Sequence, residues 1–173
     1  MALIGDTIFV TGAGQGVGRA VALAFAKKGA KNATLVGRKQ SSLDSTAQEL
    51  RSAGCKVLTV SADLTNVEEC KRAVSEAQAS FGTIDIICNC AGNTDRGTIL
   101  DTSPEGFDRI FATNVRSTFF ILQSALPAMI AQKSGVIINM SSMLAYRRRV
   151  SLRVEFAGGA PGRLYRGLFS ALR

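Results

Sequence analysis

The most informative stretch of this sequence is a run of glycines between two apolar segments. It reads Thr-Gly-Ala-Gly-Gln-Gly-Val-Gly over residues 11–18, after the strand-like residues 7–10 and before the helix-like residues 20–26. Glycines at the start of a helix let the backbone approach a phosphate, whose charge the free N–H groups and the helix dipole stabilise. We therefore predict a phosphate-binding turn, and a purely structural turn is the alternative. The candidate binding residues are Gly12, Gly14, Gln15, Gly16, Val17 and Gly18.

A basic pair, Arg38 and Lys39, follows the next apolar segment at residues 33–36. In folds that bind dinucleotides, the residue after the second strand faces the adenosine ribose. An acid there accepts hydrogen bonds from the 2′-hydroxyl, whereas a base favours a 2′-phosphate. The pair therefore predicts that the cofactor is NADP, and a solvated basic turn is the alternative interpretation.

Three later segments extend this pattern. Residues 89–92 read Asn-Cys-Ala-Gly at the end of an apolar segment, Asn114 lies among apolar neighbours, and an apolar run from residue 135 ends in Ser141-Ser142. Together with Thr-Gly-x-x-x-Gly-x-Gly at 11–18, this order of motifs resembles the short-chain dehydrogenase/reductase family over roughly residues 4–146. The family's Asn-Asn-Ala-Gly element has Cys90 in place of its second Asn here.

The resemblance implies further contacts with the cofactor at the ends of two strands. Asp63, with Leu64 beside it, would meet the adenine ring, and the alternative role of Asp63 is that of a helix cap or turn residue. Ala91 and Gly92 would let the cofactor ribose lie close to the backbone. Asn89 is the first residue of the same motif and is retained in this sequence.

The resemblance also implies a reaction. Ser142 takes the place of the family's catalytic serine, whose hydroxyl hydrogen-bonds the substrate carbonyl. Asn114 would help to hold a water of the proton relay, and a hydrogen-bonded core amide is the other role open to it. The implied activity is the NADP(H)-dependent reduction of a small carbonyl compound or the oxidation of a secondary alcohol.

The Tyr and Lys that complete this chemistry are absent from the sequence. The family places the Tyr about thirteen residues after the serine as the general acid, and the Lys four residues further on, where it lowers the Tyr pKa and binds the nicotinamide ribose. Those positions hold Glu155 and Gly159, and no lysine follows Lys133. We therefore expect crippled catalysis, and a non-catalytic nucleotide-binding or interaction protein is the alternative function.

A change of composition divides the chain. Residues 147–173 contain seven of the 21 lysines and arginines but only one of the 13 acidic residues. We expect residues 1–146 to form the NADP-binding domain and residues 147–173 to be an Arg/Gly-rich tail that replaces the family's catalytic and substrate segment. A splice or frame change would produce such a tail, and a genuinely divergent tail is the alternative. Nucleic-acid binding has support from charge alone, so we expect no nucleic-acid partner.

The spacing of apolar residues predicts five strands that alternate with helices, which indicates a doubly wound, Rossmann-like parallel sheet, incomplete at its C-terminal end. The predicted strands cover 7–10, 33–36, 56–61, 84–88 and 135–142, and the predicted helices begin after Gly18 and at residues 41, 66 and 105. We expect the last helix to run to about residue 132, and Asn66 and Glu69 to form a capping box. The predicted apolar face of the first helix contains Val17, Val21, Ala24 and Phe25.

Composition excludes several other classes. The sequence has no histidine, which rules out His-based triads and His metal sites. Cys88-x-Cys90 lacks a second ligand pair, so we expect no metal, and four free cysteines favour a reducing, cytoplasmic location. No apolar run reaches the length of a membrane span. In the resembled family the long helix contributes to an oligomer interface, so we expect an incomplete interface that exposes Phe119 and Leu122.

Overall fold

The computed structural model describes residues 5–94 and 100–141 of the 173-residue chain. Ser142, the predicted domain boundary at residue 146 and the Arg/Gly-rich tail lie outside the described residues. The strands are β1 Thr7–Thr11, β2 Asn32–Gly37, β3 Lys56–Ser61, β4 Ile86–Asn89 and β5 Val136–Asn139. The helices are α1 Gly16–Lys27, α2 Gln40–Ser52, α3 Val67–Phe81, α4 Pro104–Phe111 and α5 Ser117–Ala131, with a π turn, Ala112–Arg116, between the last two.

The five strands form one parallel sheet in the order β3-β2-β1-β4-β5. The chain builds outward from β1 to β3 and then returns to place β4 on the other side of β1. The carboxyl ends of β1 and β4 are therefore neighbours whose connections leave in opposite directions, and such a switch point forms a crevice in open α/β sheets. The predicted doubly wound parallel sheet is confirmed.

Helices cover both faces of this sheet, and each face has its own core. Phe9, Val36 and Ile87 pack with side chains of α3 and α5 on one face. Ile8 and Val10 pack with side chains of α1 and α2 on the other. Successive residues of a strand point to opposite faces, so strands buried on both faces carry unbroken apolar runs.

The buried face of α1 differs from the predicted one. Gly18, Ala22 and Ala26 are buried, whereas Ala24 is exposed and Val17 is 54% exposed. A Cβ on Gly18 would lie 2.4 Å from the carbonyl oxygen of Gly12. The helix therefore starts too close to the preceding turn for a large side chain, and small residues form its contact face.

The predicted helix over 105–132 is present, but a π turn interrupts it. It begins at Pro104, and the N-cap residue Ser103 accepts a hydrogen bond at its Oγ from the Gly106 N–H at 3.1 Å. Pro is well suited to the first helical position because its missing N–H has no partner there anyway. Leu122 is only 3% exposed and packs in the core, so the expectation that it is exposed was wrong.

The capping box predicted for α3 forms only in part. Asn66 is the N-cap, and its Oδ1 accepts a hydrogen bond from the Glu68 N–H at 2.9 Å. The Glu69 carboxylate binds Arg72 at 2.6 Å and 3.1 Å, while the Asn66 N–H donates to the Asp63 carbonyl. The arginine one turn further on competes successfully for the carboxylate, because an ion pair adds charge to the hydrogen bond.

We expect Ala22→Leu to lower the free energy of unfolding by about 1–3 kcal/mol, because the larger side chain would force α1 away from the sheet. Ala24→Leu is the matched control in the same helix, and its exposed position predicts a change within about 0.5 kcal/mol. Urea unfolding of both variants measures the difference. Equal losses would contradict the buried face assigned to α1.

Candidate functional site

The glycine turn lies at the carboxyl end of β1, on one wall of the crevice at the switch point. Gly12 and Gly16 have φ angles of +65° and +57°, a left-handed conformation that favours glycine. A Cβ on Gly12 would come within 3.0 Å of the Ala91 backbone, so glycine lets the turn touch the segment after β4. A Cβ on Gly16 would meet no atom within 4 Å, so this glycine borders open space.

The turn is also fixed against the second strand and helix. The Ala13 N–H donates to the Val36 carbonyl at 3.1 Å, and the Ala13 side chain is fully buried. A Cβ on Gly14 would lie 3.0 Å from the Cβ of Ser42, near the start of α2. Contacts from β2 and α2 therefore set the position of the turn before any ligand binds.

The first turn of α1 is suited to an anion. Gln15 is the N-cap, its side chain makes no capping hydrogen bond, and the first turn of the helix contains no acidic residue. Helix N-termini leave N–H groups without intrahelical partners, and the helix dipole favours negative charge there. The residues present thus fit a dinucleotide pyrophosphate, which would lie in the open space beside Gly16.

Thr11 connects the two walls of the crevice. Its Oγ1 accepts hydrogen bonds from the N–H groups of Cys90 at 3.0 Å and Ala91 at 2.9 Å, and the residue is 1% exposed. Thr11 stands directly before the first glycine of the motif, but the sequence alone indicates no role for its hydroxyl. The hydroxyl thereby holds Cys90 and Ala91 beside the glycine turn. The approach of the cofactor ribose to Ala91 and Gly92 stays a prediction.

Asn89 connects β4 to β5 with its backbone and its side chain. Its Nδ2 donates to the Asn139 Oδ1 at 2.9 Å, and its carbonyl accepts from the Met140 N–H at 3.0 Å. The residue is 4% exposed, and its Oδ1 has no hydrogen-bond partner among the described residues. The side chain thus helps to join two strands, and its contact with a cofactor stays a prediction.

Asn114 lies in the π turn and holds the loop that follows β4. Its Oδ1 accepts from the Asn93 N–H and its Nδ2 donates to the Asn93 carbonyl, both at 2.7 Å. The Oδ1 also lies 3.6 Å from the position a Cβ on Gly92 would take. A hydrogen-bonded amide, one of the two roles open to Asn114 from the sequence, is observed. Its part in holding a water stays a prediction.

Arg38 and Lys39 are exposed directly after β2, and Lys39 is the N-cap residue of α2. The Ser61 Oγ donates to the Arg38 carbonyl at 3.1 Å and so ties this turn to the end of β3. Both side chains are accessible to a ligand, and the first turn of α2 contains no acid. These two side chains therefore place positive charge at the site predicted for a 2′-phosphate.

Asp63 lies in the loop after β3, beside this basic pair. Its Oδ1 accepts from the Thr65 N–H at 3.0 Å and from the Thr65 hydroxyl at 2.9 Å. These hydrogen bonds, with a smaller contribution from the charge of Arg38, lower the pKa of the Asp63 carboxyl. Leu64 is 6% exposed and its side chain packs in the core, so only the backbone of Leu64 is open to a ligand, whereas the Asp63 side chain is exposed.

The cysteines are free thiols. Burial raises the pKa of Cys88 to about 12 and raises the pKa of Cys90 as well. Across residues 5–94 and 100–141, no three metal-ligating side chains come together, and no helix is long and apolar enough to cross a membrane. The thiols thus remain protonated near neutral pH and supply no thiolate nucleophile.

The comparison with known proteins agrees with this geometry. The model of the short chain dehydrogenase family matches residues 6–154. The chain belongs to this family. The match extends past residue 146, where the motifs that we recognised in the sequence end. Membership predicted from the motifs is confirmed.

Two curated relatives show how much of the family's length is represented. A short chain dehydrogenase of Pseudocercospora fijiensis is 36% identical over 146 residues, which are 83% of this chain and 47% of that protein. An uncharacterized oxidoreductase of Staphylococcus aureus strain MW2 is 37% identical over 147 residues, which are 84% of this chain and 62% of the relative. The chain thus spans about half to three fifths of the length of these relatives.

Two solved structures resemble this fold closely. A metagenomic short-chain oxidoreductase in complex with NADP has a TM-score of 0.89 at 26% identity, covering 97% of this chain and 76% of that one. The L-sorbose reductase of Gluconobacter frateurii, complexed with NADPH and L-sorbose, has a TM-score of 0.84 at 29% identity, covering 91% of this chain and 59% of the reductase.

We expect Thr11→Val to lower the free energy of unfolding by about 1–3 kcal/mol, because it leaves two N–H donors without an acceptor. Thr34→Val is the matched control in the neighbouring strand, since Thr34 is fully buried and its Oγ1 has no partner in the described part of the chain. That control should be neutral or stabilising, and Thr11→Ser should retain most of the stability.

Chemical denaturation of these three variants measures the effect. If Thr11→Val and Thr34→Val change the stability equally, the bridge across the crevice contributes nothing.

Proposed function

We propose that this chain binds NADP(H) in the crevice at the switch point, as an oxidoreductase of the short-chain dehydrogenase family. The observation that carries the proposal is the glycine turn. It borders open space at Gly16, begins a helix without a side-chain cap, and is held against Ala91 by the Thr11 hydroxyl. The NADP and NADPH complexes of the two similar structures support the same cofactor.

Residues on three loops would hold this cofactor. The turn from Gly12 to Gly18 would bind the pyrophosphate, and Asp63 and Leu64 would border the adenine. The backbone at Asn89, Ala91 and Gly92 would lie along the nicotinamide ribose. The cofactor supplies a hydride, and the chain supplies its orientation.

The exposed basic pair favours NADP over NAD. Arg38 and Lys39 are exposed directly after β2, where we propose that a 2′-phosphate binds, and neither position holds an acid that would accept hydrogen bonds from a ribose hydroxyl. Asp63 follows β3, and its Oδ1 already accepts two hydrogen bonds from Thr65. A guanidinium binds a phosphate through hydrogen bonds between charged groups, which are stronger than hydrogen bonds between neutral groups.

The reaction we propose for this family site is carbonyl reduction or alcohol oxidation on a small molecule. Ser142 would hydrogen-bond the substrate oxygen, and Asn114 would support the proton relay. An alkoxide formed by hydride transfer also needs a proton, and the positions of the family's Tyr and Lys hold Glu155 and Gly159. A Glu has an unperturbed pKa of about 4.3 and is ionised near neutral pH. We therefore propose cofactor binding with crippled turnover.

Two further proposals concern assembly and location. Phe107 is 46% exposed and its ring stacks on Phe111 at 4.4 Å between centroids, which leaves an aromatic surface on α4 for a second copy of this chain.

The free cysteines favour a reducing compartment, for which we propose the cytoplasm.

We expect NADPH to bind more tightly than NADH by about 10- to 100-fold, the range for hydrogen bonds to a charged group. Arg38→Asp should reverse this preference because it removes the phosphate contact and adds an acceptor for a ribose hydroxyl. Fluorescence titration with both cofactors measures the two affinities.

Lys28→Asp is the matched control, since it makes the same change of charge at the exposed, opposite end of α1. Tighter binding of NADH by the unmodified chain would remove the assignment of NADP.

We expect NADPH oxidation with ketones, quinones and aldehydes to be slower than in the family by about 10²–10⁴-fold, because the general acid is missing. The loss of NADPH absorbance measures turnover, and Ser142→Ala is the comparison variant. Robust turnover that Ser142→Ala abolishes would overturn the proposal of crippled catalysis. Glu155→Gln would then test whether Glu155 acts as a substitute acid.

A further inference from the structure

A single π turn contacts two of the three loops that would hold the cofactor. From this turn, Asn114 pairs with the backbone of Asn93 in the loop after β4. Two residues further on, the Arg116 guanidinium donates to the Thr65 carbonyl, in the loop after β3, at 2.7 Å. Residues two apart on a helix point in different directions, so one turn can reach two separate loops.

The contact from Arg116 leads directly to a predicted ligand-binding residue. Thr65 accepts the guanidinium at its carbonyl and donates its N–H and its hydroxyl to Asp63. The position of Arg116 therefore affects the residue that orients the Asp63 carboxylate. Arg72 contacts the end of β3, where this loop begins, through a hydrogen bond from α3 to the Ser61 carbonyl at 2.7 Å.

Two hydroxyl groups brace the π turn. The Ser117 N–H donates to the Ala112 carbonyl five residues earlier, which is the π hydrogen bond. The Ser117 Oγ donates to the Thr113 carbonyl, and the Thr113 Oγ1 donates to the Arg109 carbonyl at 3.0 Å. Ser117 is 2% exposed, so its hydroxyl has little access to water and makes this bond instead. Hydroxyl bonds to the preceding turn can bend a helix and thus support irregular geometry.

We propose that Ser117 and Arg116 are positioning residues of the cofactor site. Ser117 holds the π geometry, and the turn in that geometry places Asn114 at the loop after β4 and Arg116 at the loop after β3. The adenine end and the nicotinamide end of the crevice are thereby set by one element. The part of this inference that concerns affinity rests on the proposed binding of NADP(H).

A purely structural role predicts something different. Ser124 makes the same type of bond within the regular part of α5, from its Oγ to the Phe120 carbonyl at 2.9 Å. If the serine hydroxyls only stabilised the helix, the loss of either one would have the same consequences. If Ser117 positions the loop through the π turn, loss of the Ser117 hydroxyl, but not of the Ser124 hydroxyl, should change hydrogen exchange at the Asn93 amide.

The first experiment compares Ser117→Ala with Ser124→Ala in the full chain. Hydrogen exchange at the Asn93 amide, measured by NMR, should accelerate by roughly three- to tenfold in Ser117→Ala, the range for one net hydrogen bond. The dissociation constant for NADPH should rise by a similar factor. Ser124→Ala should change neither quantity, although it removes an equivalent bond.

The second experiment keeps the inference testable if Ser117→Ala fails to fold. Arg116→Gln removes an exposed guanidinium, and Arg51→Gln is its control, because Arg51 donates to the Val57 carbonyl at 3.1 Å near the amino end of β3. NADPH affinity should fall by roughly three- to tenfold in Arg116→Gln only. Hydrogen exchange at the Thr65 amide should accelerate in the same variant.

The outcomes separate this inference from the proposed function. If the unmodified chain does not bind NADPH, the proposed function fails, and exchange at Asn93 and Thr65 alone decides whether the turn positions the two loops. If it binds NADPH and both variants behave as their controls do, the positioning role is wrong. Exchange that accelerates equally in Ser117→Ala and Ser124→Ala would also overturn it.

Discussion

The structure depends on one hydroxyl group at the place where the order of the strands reverses. Thr11 ends β1, and its Oγ1 accepts N–H groups from the residues that follow β4, so it closes the base of the crevice between two diverging connections. Backbone hydrogen bonds join parallel strands only over their paired residues. Beyond the last pair, each buried N–H needs another acceptor. The Thr11 side chain provides that acceptor for two consecutive groups. The glycine turn and the segment from Cys90 to Gly92 consequently lie against each other with backbone in contact.

This close contact explains which residue types surround the crevice. Gly12 has no room for a side chain beside Ala91, Gly18 has none beside the carbonyl of Gly12, and α1 therefore rests on small residues. Gly16 differs, because its conformation requires glycine while the space beside it is open. Glycine thus has two roles in this turn. It allows close packing at Gly12 and Gly18, and it leaves room for a ligand at Gly16.

The loops after β4 and β3 lie on either side of the glycine turn, and side chains on the long helix and α3 contact these parts of the chain. Asn114 and Arg116 reach the loops after β4 and β3 from the π turn, and Arg72 reaches the end of β3 from α3. Loops have few backbone partners of their own, so hydrogen bonds from rigid elements decide where they lie. The π turn of the long helix lies where those contacts are made, and single π turns within α-helices are frequent at functional sites.

The sequence by itself determined the alternation of strands and helices, the parallel sheet, the glycine turn and the family. Glycine spacing and apolar periodicity are local properties, and the segment order restricts the topology. The sequence did not determine the buried face of α1, the π turn or the partner of Glu69, because each of these depends on a competing contact. Only the tertiary structure decided that Thr11 binds residues 79 and 80 positions away and that Asn114 binds a residue 21 positions away. A hydroxyl or an amide carries no periodic signal, and its partner is defined only when separate elements pack together.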